Sequence, residues 1–161
     1  EGEVISTFET KIKPSPADII KAHPKALEIN GFTEEDWRNA PPPEDVLDAI
    51  QAQFEGKHII VGQNIAGFDI PFLTAFFEKH DRKLKMSRRS LDTMSLIIEH
   101  LFPCGLQSAS LVSARKALKI DTGAAHSAMA DTMACVEVYK KLSRSKFYHR
   151  LYWTWCISRM K

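Results

Sequence analysis

Asp69 lies near the end of the stretch Val61 to Leu73, VGQNIAGFDIPFL, where a short apolar run gives way to a helix pattern. In open α/β sheets ligands bind beyond the carboxyl ends of the strands, so a carboxylate at that point is placed to hold a metal ion. The plainer role is a helix cap, with Pro71 in the first turn. Asn64 has two readings of the same kind, a contact residue or a turn former. A second stretch, Ala125 to Asp131, reads AHSAMAD. Five residues along an ideal helix turn through about 140°, so His126 and Asp131 share a site only if His126 stands outside the helix start, with Ser127 as cap. Asp131 is set among Ala128, Met129, Ala130, Met133 and Ala134. Burying an unpaired carboxylate in such company is costly, and a cation is the partner that would remove the cost. A solvent-facing Asp131 and a hydrogen-bonded surface histidine are the alternatives.

The elements that must position these residues follow from periodicity. His58 to Gly62 is a short β-branched run, and Phe72, Leu73, Phe76 and Phe77 after it mark a helix, which is the strand-to-helix order of α/β proteins. Ser90-Leu91 reads as another short strand before a helix at Met94 to Leu101, and a further helix covers Ser110 to Leu118. Ser127 to Leu142 reads as a long amphipathic helix with Met129, Met133, Val136 and Tyr139 on one side and Lys140-Lys141 near its end. Upstream, Val46, Leu47, Ile50 and Phe54 give a helix stripe after the proline triplet at Pro41 to Pro43, with Gly56 as stop. Val4 to Ile12 alternates apolar and polar residues and is expected to form a half-buried strand ended by Pro14 and Pro16. Phe68 and Phe72 read as core residues.

The 161 residues make one compact domain of ordinary globular composition, 44% hydrophobic and 26% charged. A net charge of +2 conceals a division: residues 1 to 60 carry 6 basic and 12 acidic side chains, the remainder 16 and 8. A basic portion of this kind suits a phosphate-bearing partner. Cys104, Cys135 and Cys156 are odd in number and contain no C-x-x-C pair, which argues against a disulfide framework or zinc cage. The apolar runs fall short of the roughly 20 residues that span a bilayer. The expectation is an intracellular, cytoplasmic protein with no membrane partner.

Taken together, the order G-x-N-x-x-x-F-D-x-x-F-L (Gly62 to Leu73), then Leu91-Asp92-Thr93, then A-H-x-A-x-x-D (Ala125 to Asp131) resembles the DEDDh 3′-5′ exonucleases. That family includes the bacterial proofreading epsilon subunit and ribonuclease T. The resemblance runs from about Gly2 to Leu142. It implies an α/β fold, a ribonuclease H-like mixed sheet flanked by helices, over residues 1–145, followed by a basic aromatic C-terminal helix or tail at 146–161. Two departures accompany it. Gln63 stands where the common motif has histidine, and the family's first motif, D-x-E-T, is not found; Thr7-Phe8-Glu9-Thr10 imitates it with threonine in place of aspartate. On this reading the chain begins between the family's second and third strands, and the first two strands of the sheet are missing.

The resemblance implies that Asp69 and Asp131 are metal carboxylates and His126 the base that takes a proton from the attacking water. Two Mg²⁺ or Mn²⁺ ions about 4 Å apart would steady the attacking and leaving oxygens, and fewer would bind without the first motif. The implied substrates are 3′ ends of single-stranded or frayed DNA or RNA, with Asn64, Phe68, Arg88 and Arg89 as substrate contacts and a DNA polymerase or a second copy as partner. The rival reading is a binding or interaction module that keeps the fold without the metal site. In the tail, Phe147, Leu151 and Trp155 recur at helical spacing, which favours a helix packed by that stripe over a base-stacking strand.

Overall fold

The computed structural model describes residues 3–29, 31–56, 58–121, 127–144 and 147–160, and leaves out the side chains of Ile29, Asp36, Phe147 and Tyr148. His126 therefore lies outside the described residues. In chain order the elements are α1 (Pro16–Lys21), α2 (Pro24–Ile29), α3 (Glu34–Arg38), α4 (Pro43–Ala52), β1 (Ile60–Gly62), α5 (Asp69–Lys79), β2 (Ser90–Asp92), α6 (Thr93–Leu101), a 3-10 turn (Phe102–Cys104), α7 (Leu111–Leu118), α8 (Ala128–Ser143) and α9 (Phe147–Ser158). Among the described residues no helix is long and apolar enough to cross a membrane.

The chain divides into two compact units. One comprises Glu1–Glu3, Ile59–Ile70 and Arg89–Lys161 and contains both strands. β1 and β2 pair in parallel with Ile60 opposite Ser90, Val61 opposite Leu91 and Gly62 opposite Asp92. The two carboxyl ends are thus level. Four helices supply the core of this unit: Ile97 and Leu101 from α6, Ala114, Ala117 and Leu118 from α7, Val138 and Leu142 from α8, Trp153 and Ile157 from α9. Each helix starts or stops where its sequence dictates. Asp92, Ser110 and Ser127 cap α6, α7 and α8 with side-chain oxygens, and Lys119 ends α7 in the left-handed region.

The other unit, Val4–His58 and Pro71–Arg88, is helical. Val46, Leu47 and Ile50 of α4 are buried with Phe77 of α5, and Phe54, Leu73, Phe76 and Leu84 pack around them, as the stripe predicts. Gln51 fixes the return of the chain after α5: its amide donates to the Lys85 carbonyl at 2.7 Å and accepts from the Lys85 N–H at 2.9 Å. Two exposed ion pairs, Lys79 with Asp18 and Arg82 with Asp48, add little, because solvent screens them.

Three expectations need correction. Val4 to Ile12 is not a strand: it has no ladder partner among the described residues, and Val4, Ile5 and Phe8 are exposed. Alternation marks a strand only where a neighbouring strand accepts its hydrogen bonds. The backbone bond recorded near this stretch is Lys13 N–H to Pro41 O, 2.9 Å, to a loop. The described strands form a short parallel sheet, as an α/β fold of this class contains. Second, Phe68 and Phe72 are each 64% exposed rather than core, because the buried side of α5 is the one carrying Leu73, Phe76 and Phe77. Third, α9 does form but turns a different face inward. Trp153, Cys156 and Ile157 are buried, whereas Leu151 and Trp155 of the expected stripe are exposed. In α8, likewise, the fully buried line is Ala134, Val138 and Leu142, with Met129, Met133, Val136 and Tyr139 half-buried beside it.

Candidate active site

The site is built at the level carboxyl ends of β1 and β2. Beyond Gly62 the chain enters a turn whose first residue but one, Asn64, sits at φ 55°, the left-handed region that asparagine tolerates better than most residues. The Asn64 carbonyl accepts from the N–H groups of Gly67 and Phe68 at 3.1 and 3.0 Å, and Ile65 O accepts from Ile70 N–H at 3.0 Å. These bonds roll the chain directly into α5, with Asp69 as its first residue. A Cβ at position 67 would lie 2.6 Å from Asn64 Oδ1, so any larger residue there would displace the Asn64 side chain.

Asp92 ties this turn to the second strand. Its Oδ1 accepts from Met94 N–H at 2.9 Å, capping α6, and from Asn64 N–H at 2.8 Å. The Thr93 hydroxyl, fully buried, lies 3.0 Å from Gly62 O and 2.8 Å from Gln63 Oε1. Gln63 Nε2 in turn donates to Ala109 O at 2.7 Å, just before α7. Gln63, where the common motif carries histidine, is thus a structural strut here.

Burial raises the Asp69 carboxyl above its ordinary value; its own backbone N–H opposes the rise, and the neighbouring Asp92 carboxylate adds to it. Asp131 stands in the first turn of α8, its N–H donating to Ser127 O at 3.0 Å. Its carboxylate is half exposed, with Arg115 Nη1 of α7 at 3.9 Å. One turn further along α8 stands Cys135. Burial raises its thiol, hydrogen bonds to the Thr93 side chain and Gln63 backbone oppose the rise, and the carboxylates of both Asp131 and Asp69 add to it. The two carboxylates are the weakest of these influences on the thiol, after burial and the two hydrogen bonds.

The remaining candidates distribute unevenly. Asn64 and the exposed Phe68 flank Asp69 in the turn. Arg89 is at the amino end of β2, its carbonyl accepting Ile60 N–H at 3.1 Å, and so stands away from the carboxyl-end turn. Arg88 is exposed and belongs to the other unit. Asp92, Thr93, Arg115 and Cys135 were not singled out as site residues from the sequence. An aspartate at a strand-to-helix junction and a cysteine one turn after Asp131 were the available signals.

The donor set suits a hard divalent cation in kind, since both carboxylates offer oxygen. It falls short in number: among the described residues no group of three or more His, Cys, Asp or Glu side chains is gathered so as to hold a metal.

A model of the RNase T exonuclease family matches residues 1–139. The chain belongs to this DnaQ-like 3′-5′ exonuclease family. Curated relatives include the PolC-type DNA polymerase III of two Streptococcus pneumoniae strains, D39 and TIGR4, each 33% identical over 106 residues. The matched part is 64% of this chain and 6% of the polymerase. Among solved structures, exonuclease I, in work on how its processivity is achieved, matches with a TM-score of 0.75 and 24% identity over 92% of this chain and 35% of that one. Product-bound exonuclease I matches with a TM-score of 0.73 and 22% identity, covering 92% and 37%. At these identities the likeness is one of fold, and it places the chain in the ribonuclease H-like α/β class. The chain spans a small part of each of these relatives. The family as a whole works with divalent metal ions.

Proposed function

We propose that this exonuclease-family domain hydrolyses phosphodiester bonds at the 3′ end of single-stranded or frayed DNA or RNA, with Mg²⁺ or Mn²⁺ held by Asp69 and Asp131. The observation that carries the reading is the exonuclease-family match over residues 1–139, a span that includes Asp69 at the start of α5 and Asp131 in the first turn of α8. A divalent ion bound there would supply a more acidic attacking water and charge stabilisation for the phosphorane-like transition state. The chain's own residues do the rest. Asn64 and Phe68 border Asp69, and the exposed Phe68 ring offers a face for the terminal base. His126, at five residues before Asp131, is assigned the proton from the attacking water. A cytoplasmic location and association with a polymerase or a second copy belong to the same proposal.

That no group of three or more such side chains is gathered among the described residues favours a second reading, a binding module of the same fold without cleavage. A 5′-labelled single-stranded oligonucleotide incubated with the full-length protein separates the two. Stepwise shortening with Mn²⁺, lost in chelator and in His126→Ala, is the expected result. Oligonucleotide binding without shortening in the presence of Mn²⁺ would overturn the enzyme reading.

A further inference from the structure

Helix α9 lies beyond the residues that the family model matches, and its outer face is unlike an ordinary solvated surface. Tyr152 and Trp155, each 48% exposed, stack on one another with ring centroids 6.3 Å apart and planes inclined by 27°. The Lys119 ammonium, from the C-cap of α7, sits 5.6 Å from both ring centroids, and the Arg159 guanidinium lies over Trp155 at 4.0 Å. Trp153, Cys156 and Ile157 anchor the opposite side of the helix in the core, so the outward aromatics are not needed to hold α9 in place.

The chain segment that carries the rings has charge of one sign. From Lys140 to Lys161 the chain carries seven Lys or Arg residues and no Asp or Glu. A guanidinium stacked on an indole keeps its N–H edges in the plane, directed away from the ring, in the fork geometry that suits a phosphate. An aromatic pair offers base-stacking surface that is indifferent to base identity. Aromatic rings bordered by cations match a strand that alternates flat bases with phosphates. A protein partner would be met by the rings alone and would need its own acidic rim.

We propose that Tyr152, Trp155, Lys119 and Arg159 form a second contact for single-stranded nucleic acid, outside the motif site, that holds the strand without reading its sequence. The ligand class rests on the exonuclease reading, whereas the contact itself can be measured with no cleavage. The test is fluorescence anisotropy of a fluorescein-labelled oligothymidylate with the full-length protein in EDTA, repeated on an Asp69→Asn background. Trp155→Ala is expected to weaken binding about tenfold, with Trp155→Phe retaining most of it. Arg159→Gln, a surface change independent of the rings' role in folding, is expected to lower the slope of log affinity against log salt by about one. Circular dichroism and melting of each variant should match the wild type. No binding by the wild type in EDTA, or equal binding by Trp155→Ala and Arg159→Gln, overturns the proposal. So does a wild-type dimer in sedimentation that Trp155→Ala dissociates, since a second copy would then cover the face. Loss of cleavage in Asp69→Asn with oligothymidylate binding intact would leave the platform standing, and a failure of the catalytic reading would show only in the Mn²⁺ assay.

Discussion

The surroundings of Asp69 and Asp131, each at the start of its helix, differ in kind. Asp69 is partly buried, faces a second carboxylate in Asp92, and has its carboxyl raised. Asp131 is half exposed and has a guanidinium at 3.9 Å. One position is held under electrostatic cost, and the other is partly compensated by the protein itself. A dication held by both, as proposed, would relieve the first and compete with Arg115 for the second. The contrast teaches that the metal's contribution to stability should enter chiefly through Asp69.

The largest effect expected from breaking this contrast is that of Asp69→Asn. Metal-dependent cleavage by the full-length protein should fall by roughly 10²–10³-fold, the scale of lost metal-based stabilisation. In chelator the same variant should melt slightly higher than the wild type, because a raised carboxyl pKa means that charging Asp69 opposes folding. The sign fixes the pH window: the wild type loses this increment as pH rises from the ordinary value of 3.8 through the raised folded value, and Asp69→Asn should lack that slope. Melting curves across pH in EDTA check it. A variant that melts lower at neutral pH would show that Asp69 is a stabilising cap instead.

Next in size is Thr93→Val, which removes the buried hydroxyl shared by Gly62 O and Gln63 Oε1 and should cost about 1–3 kcal/mol in urea unfolding. Gly62→Ala should cost a similar 1–3 kcal/mol, since the added Cβ would come within 2.6 Å of Ile65 Cδ1 and 3.1 Å of its Cβ. The smallest expected change is Arg115→Gln. At 3.9 Å from a half-exposed partner its pair contributes less than about 1 kcal/mol to stability. Its removal should instead tighten Mn²⁺ binding a few-fold in a calorimetric titration. Unchanged metal affinity would show that Arg115 does not compete for Asp131.

Much of this arrangement was legible in the residues. The Val46, Leu47 and Ile50 stripe, the β-branched run before Gly62, and the caps Ser110 and Ser127 all specify their elements locally, through periodicity and side-chain oxygens. What escaped was decided at a distance. Val4 to Ile12 has a strand's pattern and no strand beside it among the described residues. Phe68, Phe72 and the Leu151 and Trp155 stripe are apolar and still exposed, because burial depends on what the opposite element offers. For the proposed site, the motifs single out Asp69 and Asp131, whereas the bonds that Asp92 makes to residues on both sides of the sheet end have no sign in the sequence. A single aspartate in sequence gives no sign that it serves two segments at once.

That double duty of Asp92 constrains where the chain can change length. One oxygen starts α6 and also holds Asn64, so inserting or deleting a residue between Gly62 and Asp69 would disturb a helix some thirty positions downstream as well as the loop itself. Helix α7, capped by its own Ser110, has no such remote dependant in its cap. Just ahead of α7, however, Ala109 O holds Gln63 Nε2, so residues added there should loosen Gln63 while leaving α7 capped, whereas residues added after β1 should cost α6 its start, a difference that a scan of single-residue insertions scored by soluble yield would reveal.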